Sequence, residues 1–359
     1  MAQIPLPPGS TLGILGGGQL GRMLALAAAR LGFDVSVLER DADSPAGRVG
    51  LRTIVGPYTD KAALEELAAE ASLVTYEFEN VPAEAVLTLQ ALGVEVAPGP
   101  EALAVAQDRI AEKQFLNASG APTVAFASAD TADEAVAAAA EVGLPVLMKT
   151  RRDGYDGKGQ RWVEHAADAA GAFEALGGVP VILEAAADFA RELSIIAARG
   201  RDGAIAIYPL AENHHEGGIL RRSVAPAIAT PALVEQAERI ARRVLQGLNY
   251  VGVIGIELFE LRDGRLLVNE IAPRVHNSGH WTQDGCEVDQ FEQHVRAVAG
   301  WPLGPTAAIA RVEMLNLLGD EADAWLKLAH EPETRLHLYG KRDAKPGRKM
   351  GHVNKLKPL

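Results

Sequence analysis

The chain has 359 residues, 48% of them hydrophobic, so at roughly 150 residues per domain it should divide into two or three domains with sizeable cores. Its 35 Lys and Arg against 47 Asp and Glu leave a formal charge of −12, which disfavours nonspecific binding to nucleic acid or an anionic membrane but allows a local basic pocket. A single cysteine, Cys286, rules out an intrachain disulfide framework; it fits a reducing, cytoplasmic compartment, as does the lack of any apolar run near the ~18 residues of a membrane span.

Residues 1–10 have no basic region and do not read as a signal peptide. An apolar run at 11–15 breaks into Gly16-Gly17-Gly18, a helix-like stretch covers 19–31 and a second apolar run covers 35–38. Together they read as a right-handed βαβ unit. A helical 61–69, an apolar 73–76, a helical 83–89 and an apolar 94–96 continue it, so the first hundred residues read as a doubly wound α/β domain ending at Pro98-Gly99-Pro100. Helical stretches flank Asp108 and run to Asn117, an alanine-rich helix spans 132–142, a strand spans 145–150 and a polar, glycine-rich loop spans 151–160. Strands dominate 179–224, with turns at 200–203 and 216–218. The stripe Leu233, Ala237, Ile240, Ala241, Val244 and Leu245 predicts a helix over 231–245. Runs at 251–261 and 265–270 predict a hairpin about Arg262-Asp263-Gly264, and a helix at 290–299 precedes a mixed, basic tail.

Three features carry chemistry. Gly16-x-Gly18-x-x-Gly21 lies between a strand and a helix, and Glu39 ends the next strand where an acidic residue would hold a ribose hydroxyl. From these residues alone NAD, another phosphate ligand and a structural tight turn all stay open. The second feature is Lys149 at a strand end followed by Gly154-Tyr155-Asp156-Gly157-Lys158-Gly159-Gln160, a loop suited to covering a polyphosphate, though not a Walker A; its bland alternative is a solvated hairpin. The third is Glu257 and Glu270 on paired strands beside Asn269, hard oxygen donors suited to Mg²⁺, or else a buried salt-bridged pair. Arg274, His276 and His280 follow without zinc spacing. Glu77, Glu79 and Asn80 end a strand at the carboxyl edge of the sheet, where they form either part of a ligand crevice or a helix-capping cluster.

The order of these parts, with Glu184 at a strand end, resembles the ATP-grasp superfamily. Within it, residues 16–23, 75–82, 151–160 and 269–280 are similar to the 5-(carboxyamino)imidazole ribonucleotide synthase family, and the resemblance runs from Leu12 to about Leu356. It implies an α/β fold with a Rossmann-like parallel-sheet domain at 1–108 and an ATP-grasp domain at 109–300 with a mobile lid at about 123–190. A small C-terminal domain at 301–359 would close the ribonucleotide site. It implies a carbon–nitrogen ligase of purine biosynthesis that uses ATP, bicarbonate and 5-aminoimidazole ribonucleotide, by way of carboxyphosphate. Mg²⁺ is the implied metal, with Mn²⁺ as a substitute. The implied state is a cytoplasmic homodimer with small-molecule substrates and no nucleic acid or membrane partner.

By the same resemblance Arg109, Lys149, the loop 154–160, Glu184, Ala185, Ala186, Ala187, Glu192, His215, Asn269 and Glu270 would meet ATP. Glu257, Asn269 and Glu270 would hold the metal. Gly18, Gln19, Leu20, Glu77, Asn80, Arg274, Lys341 and Arg348 would surround the ribonucleotide, and Asp156, His276, Arg274 and Lys149 would be catalytic. A histidine at 276 titrating near neutrality could accept the amine proton or the proton of bicarbonate. Ala187 departs from the branched residue usual there, and His214 beside His215 leaves open which of the two faces the nucleotide. An NAD-type oxidoreductase explains only the first glycine motif, and a sibling ligase that activates formate is the nearest competitor.

Overall fold

A computed structural model describes residues 4–49, 52–154 and 157–359; Tyr155 and Asp156, both expected at the site, lie outside the described residues. Strands β1 (Thr11–Leu15), β2 (Asp34–Glu39), β3 (Arg52–Val55) and β4 (Leu73–Tyr76) form a parallel sheet in the order β3-β2-β1-β4. Two details differ from expectation. Residues 94–96, confined between Gly93 and Pro98, make a single bridge from Val96 to Val74, and β3 is an additional edge strand that leaves Arg52 and Val55 exposed.

Strands β5 (Phe126–Ala129), β6 (Val146–Thr150), β7 (Gln160–Val163) and β8 (Val181–Ala185) form a small antiparallel sheet ordered β5-β8-β6-β7. The helix Ala132–Val142 packs on it through Ala135, Ala138 and Ala139, residues small enough to bring helix and sheet close.

The rest of the chain builds one large sheet from β9 (Phe189–Arg199), β10 (Ile205–Ile207), β11 (Ala211–Glu216), β12 (Ile219–Ala225), β13 (Gly252–Leu261), β14 (Leu266–Ala272), β15 (Arg311–Leu318), β16 (Thr334–Leu338) and β17 (Lys349–Lys357). Its order is β14-β13-β9-β11-β12-β15-β17-β16, with β10 beside β9. The three C-terminal strands therefore extend the central sheet instead of forming one of their own.

The helix Pro231–Gly247 covers one face. Thr230 Oγ1 accepts the Leu233 N–H at 3.2 Å, Pro231 starts the first turn, and all six residues of the apolar stripe are buried, the larger ones contributing about 1.5–3 kcal/mol each. On the other face, helix Gln290–Ala299 packs against both β13 and helix Gln19–Arg30, so a single core with Leu24, Val253, Trp281, Phe291 and Met314 joins the parallel sheet to the central one. No helix among the described residues is long and apolar enough to cross a membrane.

Candidate active site

The first glycine loop is occupied by the protein itself. β1 gives way to Gly16, whose φ of +104° favours glycine and where a Cβ would lie 2.4 Å from Glu77 Cγ. The N–H groups of Gly18 and Gly21 donate to the two oxygens of Glu77, the latter at 2.6 Å, while the Gly17 N–H donates to Glu39 Oε2 at 2.7 Å. Helix Gln19–Arg30 is thus capped by a carboxylate from the end of β4. The donors a pyrophosphate would need are spent, which removes the oxidoreductase reading. Glu77, expected at the ribonucleotide, has both its oxygens engaged beneath the loop. Burial raises its pKa although the two amides pull the other way. Glu39 takes the Tyr58 hydroxyl at 3.0 Å as well as the Gly17 amide.

Two cavities adjoin this loop. One of about 500 Å³ is lined by Gly18, Gln19, Ser44, Lys341 and Arg348. The other, of about 950 Å³, shares Gln19, Lys341 and Arg348 with it. Leu20, Asn80, Arg109, Lys149, Gly154, Gly157, Lys158, Gln160, Glu192, His215, Glu257, Asn269, Glu270, Arg274 and His276 also border the larger one. Gly159, Glu184 and residues 185–187 do not line it; the Ala186 N–H is engaged by the Pro145 carbonyl. His215 pairs with Glu192 and faces the cavity, whereas His214 points outward beside Glu216.

β13 and β14 set Glu257 directly opposite Glu270, at a bulge, so both carboxylates share a face. Asn269 Nδ2 lies 3.4 Å from Glu257 Oε2. Burial, and then the charge of Glu270, push Glu257 up to about 7. Burial would raise Glu270 too, but Arg109, 3.1 Å away, and Lys149 outweigh it and hold Glu270 at about 2. Among the described residues no group of three or more His, Cys, Asp or Glu could hold a metal. Two facing carboxylates and an amide oxygen instead leave much of an octahedral shell to phosphate oxygens and water, a donor set that fits Mg²⁺.

Helix Arg109–Ala118 supports that strand. Asp108 caps it and accepts from Arg151 Nε at 2.8 Å. Arg109, Glu112 and Lys113 then engage three consecutive residues: the Glu270 carboxylate, the Ile271 N–H at 2.7 Å and the Asn269 carbonyl at 2.7 Å. Burial pushes Glu112 up to about 8 against the pull of Lys113. Lys113 also meets Glu184 Oε1 at 3.0 Å, and Lys149 meets Glu184 Oε2 at 2.6 Å. Burial opposes ionisation of Glu184, but the two ammonium groups hold it at about 2. Glu112 and Lys113 were absent from the sequence expectations. Their signal was charge at i+3 and i+4 from Arg109 on the face that carries Ile110 and Leu116.

After β14 the chain turns at Arg274, whose guanidinium forks onto Glu79, with Nη2 3.0 Å from Oε1. Gln290 then grips His276 like a neighbouring strand: its Oε1 accepts the His276 N–H at 2.9 Å and its Nε2 donates to the His276 carbonyl at 2.8 Å. The same Nε2 lies 3.0 Å from His280 Nδ1. Gln290 too was missed, since nothing in its own helix marks its partners. His276 Nδ1 is 2.9 Å from Ser278 Oγ, and its Nε2 is 3.6 Å from Glu257 Oε1. Burial, and then the charge of Arg274, lower its pKa to about 3, so the expected near-neutral histidine is instead a neutral imidazole at physiological pH. On the far side Lys341 Nζ donates to the Lys349 carbonyl at 2.8 Å and Arg348 Nη1 to the Asp343 carbonyl at 3.0 Å.

Comparison with known proteins matches residues 10–107 to the ribonucleotide synthetase preATP-grasp domain. It matches residues 114–291 to the ATP-grasp domain and 313–358 to the phosphoribosylaminoimidazole carboxylase C-terminal domain. N5-carboxyaminoimidazole ribonucleotide synthase of Brucella melitensis is 49% identical over 360 aligned positions, which cover 100% of this chain and 99% of the relative. The crystal structure of the corresponding synthetase from Thermus thermophilus is 46% identical with a TM-score of 0.91, covering 96% of this chain and 93% of that one. The Aspergillus clavatus synthase in complex with ADP and 5-aminoimidazole ribonucleotide is 32% identical with a TM-score of 0.91, over 98% of this chain and 94% of that one.

Proposed function

The chain belongs to the N5-carboxyaminoimidazole ribonucleotide synthase family, and from that premise we propose how its residues divide the work. It is an ATP-grasp ligase that carboxylates 5-aminoimidazole ribonucleotide with ATP in purine biosynthesis. The observation that carries the division is the pair of cavities with a shared border: carboxylates, Arg109 and Lys149 line one, and Lys341 and Arg348 stand where it opens into the other.

ATP takes the larger cavity, with Arg109 and Lys149 neutralising its phosphates and the loop 154–160 covering them. Glu257, Glu270 and the Asn269 amide oxygen would hold Mg²⁺, or Mn²⁺ in its place, which would supply charge neutralisation for the phosphates. A bicarbonate oxygen attacks the γ-phosphorus and ADP leaves; the ribonucleotide amine then attacks the carboxyl carbon, phosphate leaves and the amine loses a proton. Arg274, fixed by Glu79, orients the bicarbonate-derived carboxyl group, and uncharged His276, held through Nδ1 by Ser278, positions the amine by hydrogen bonding. Gln19, Leu20 and Asn80 enclose the ribonucleotide, and Lys341 and Arg348 receive its phosphate. Residues 1–108, 109–300 and 301–359 act as the three domains, and the enzyme works as a cytoplasmic homodimer; light scattering in solution tests the dimer.

ADP release measured with bicarbonate or formate, and with the ribonucleotide present or absent, tests the reading. Turnover requires bicarbonate and the ribonucleotide together. Equal turnover with formate refutes the assignment of the carboxyl donor. Glu270→Gln should cut kcat by at least ~100-fold, because it removes a carboxylate that would hold the cation neutralising the transferring phosphoryl group.

A further inference from the structure

Lys113 is 1% exposed, and a lysine so buried is stable only when paired and hydrogen-bonded. Its two partners belong to different parts of the fold. One is Glu184 on β8 of the small sheet; the other is the carbonyl of Asn269 on β14 of the central sheet. Glu184 in turn bridges Lys113, through one oxygen, to Lys149 on β6, through the other. Lys149 faces the larger cavity, while Lys113 does not border it.

This arrangement sets two demands against each other. Phosphates entering the cavity compete with Glu184 for Lys149. Were Lys149 the sole counter-ion of Glu184, its departure would strand a carboxylate that is 4% exposed, and the lysine would be held back. A second cation that cannot follow the nucleotide removes the conflict. Lys113 meets that description: it sits in the middle of a helix and is tied to a strand backbone.

We propose that Lys113 is a positioning residue for nucleotide binding, which keeps Glu184 compensated when Lys149 turns to the phosphates and ties the small sheet to strand β14. The inference rests on the reading of Lys149 as an ATP ligand, and its test separates the two.

ADP with Mg²⁺ is titrated calorimetrically into the wild type, K149M, K113M and the double variant K113M/E184Q, and KM for both substrates is measured alongside. K113M should weaken ADP binding by at least about tenfold with the ribonucleotide KM unchanged, because Glu184 then holds Lys149 alone. The double variant, which removes the competing carboxylate together with its partner, should return to within about threefold of the wild type. Should K113M fail to fold, recovery of both folding and ADP binding, to within about threefold of the wild type, in the charge-balanced double variant carries the test. ADP binding by K113M within about twofold of the wild type overturns the proposal, and so does a folded double variant that binds as weakly as the single one or not at all. A general structural defect, which also overturns it, would raise both KM values together. K149M binding like the wild type would overturn the nucleotide site itself and the inference with it.

Discussion

Gln290→Met is the most informative single substitution, since it keeps the volume of the side chain and deletes only its polar atoms. In the folded protein those atoms satisfy the N–H and carbonyl of His276 and the Nδ1 of His280, at 2.9, 2.8 and 3.0 Å, from a residue 0% exposed. Each buried group left without a partner costs about 1–3 kcal/mol, so three give a loss of at least ~3 kcal/mol in the segment around His276. A loss of that size raises the local opening equilibrium by roughly two orders of magnitude. Hydrogen exchange of a peptide covering 275–281 measures it directly, because the His276 amide depends on Gln290 for its acceptor. kcat should fall in parallel, and the ratio of ADP to carboxylated product should rise above one as the loop stops holding His276 in place. Unchanged exchange at 275–281 together with a ratio still at one would refute the view that Gln290 holds the loop.

Three other expectations follow from the geometry. Gly16→Ala forces a Cβ into Glu77 at a φ of +104°, so it should destabilise by ~2 kcal/mol or more, read as a lowered melting temperature, whereas Gly9→Ala at φ +85° with open space around it should cost less. Glu184 has its folded pKa depressed to about 2 from an ordinary 4.5, so its contribution to stability is complete above about 4.5 and lost as pH falls toward 2; the stability gap between wild type and Glu184→Gln should close across that window in acid titrations. Arg348→Ala should raise KM for the ribonucleotide far more than KM for ATP in steady-state assays, and equal rises would mark a folding defect.

The residues that announced themselves in the sequence were those whose chemistry is contiguous. The segment from Asn269 to His280 carries a carboxylate, an amide, a guanidinium and imidazoles within one short stretch, and Lys149 is followed at once by its glycine loop. Lys113 is 156 positions from the carbonyl it holds, and only the packing of helix Arg109–Ala118 on β14 brings them together. The Gly16–Gly21 motif was visible but ambiguous, because its amides serve a ligand or a side chain equally well. Glu77, the side chain that takes two of them, lies 56 positions beyond Gly21. β3 escaped notice since an edge strand with Arg52 and Val55 exposed shows little of the apolar run that marks a buried one.

The position of β17 between β15 and β16 bears on how much damage residues 349–357 can tolerate. Most C-termini can be trimmed or extended by a tag with little effect. Here a premature stop before Lys349 would delete a strand from inside the sheet, leaving β15 and β16 each with a row of unpaired backbone groups. Such a product would be prone to intermolecular strand pairing, so late frameshifts should be found in inclusion bodies and not among weakly active enzymes. The tail could not be exchanged between relatives as a cassette unless its partner β15 travelled with it.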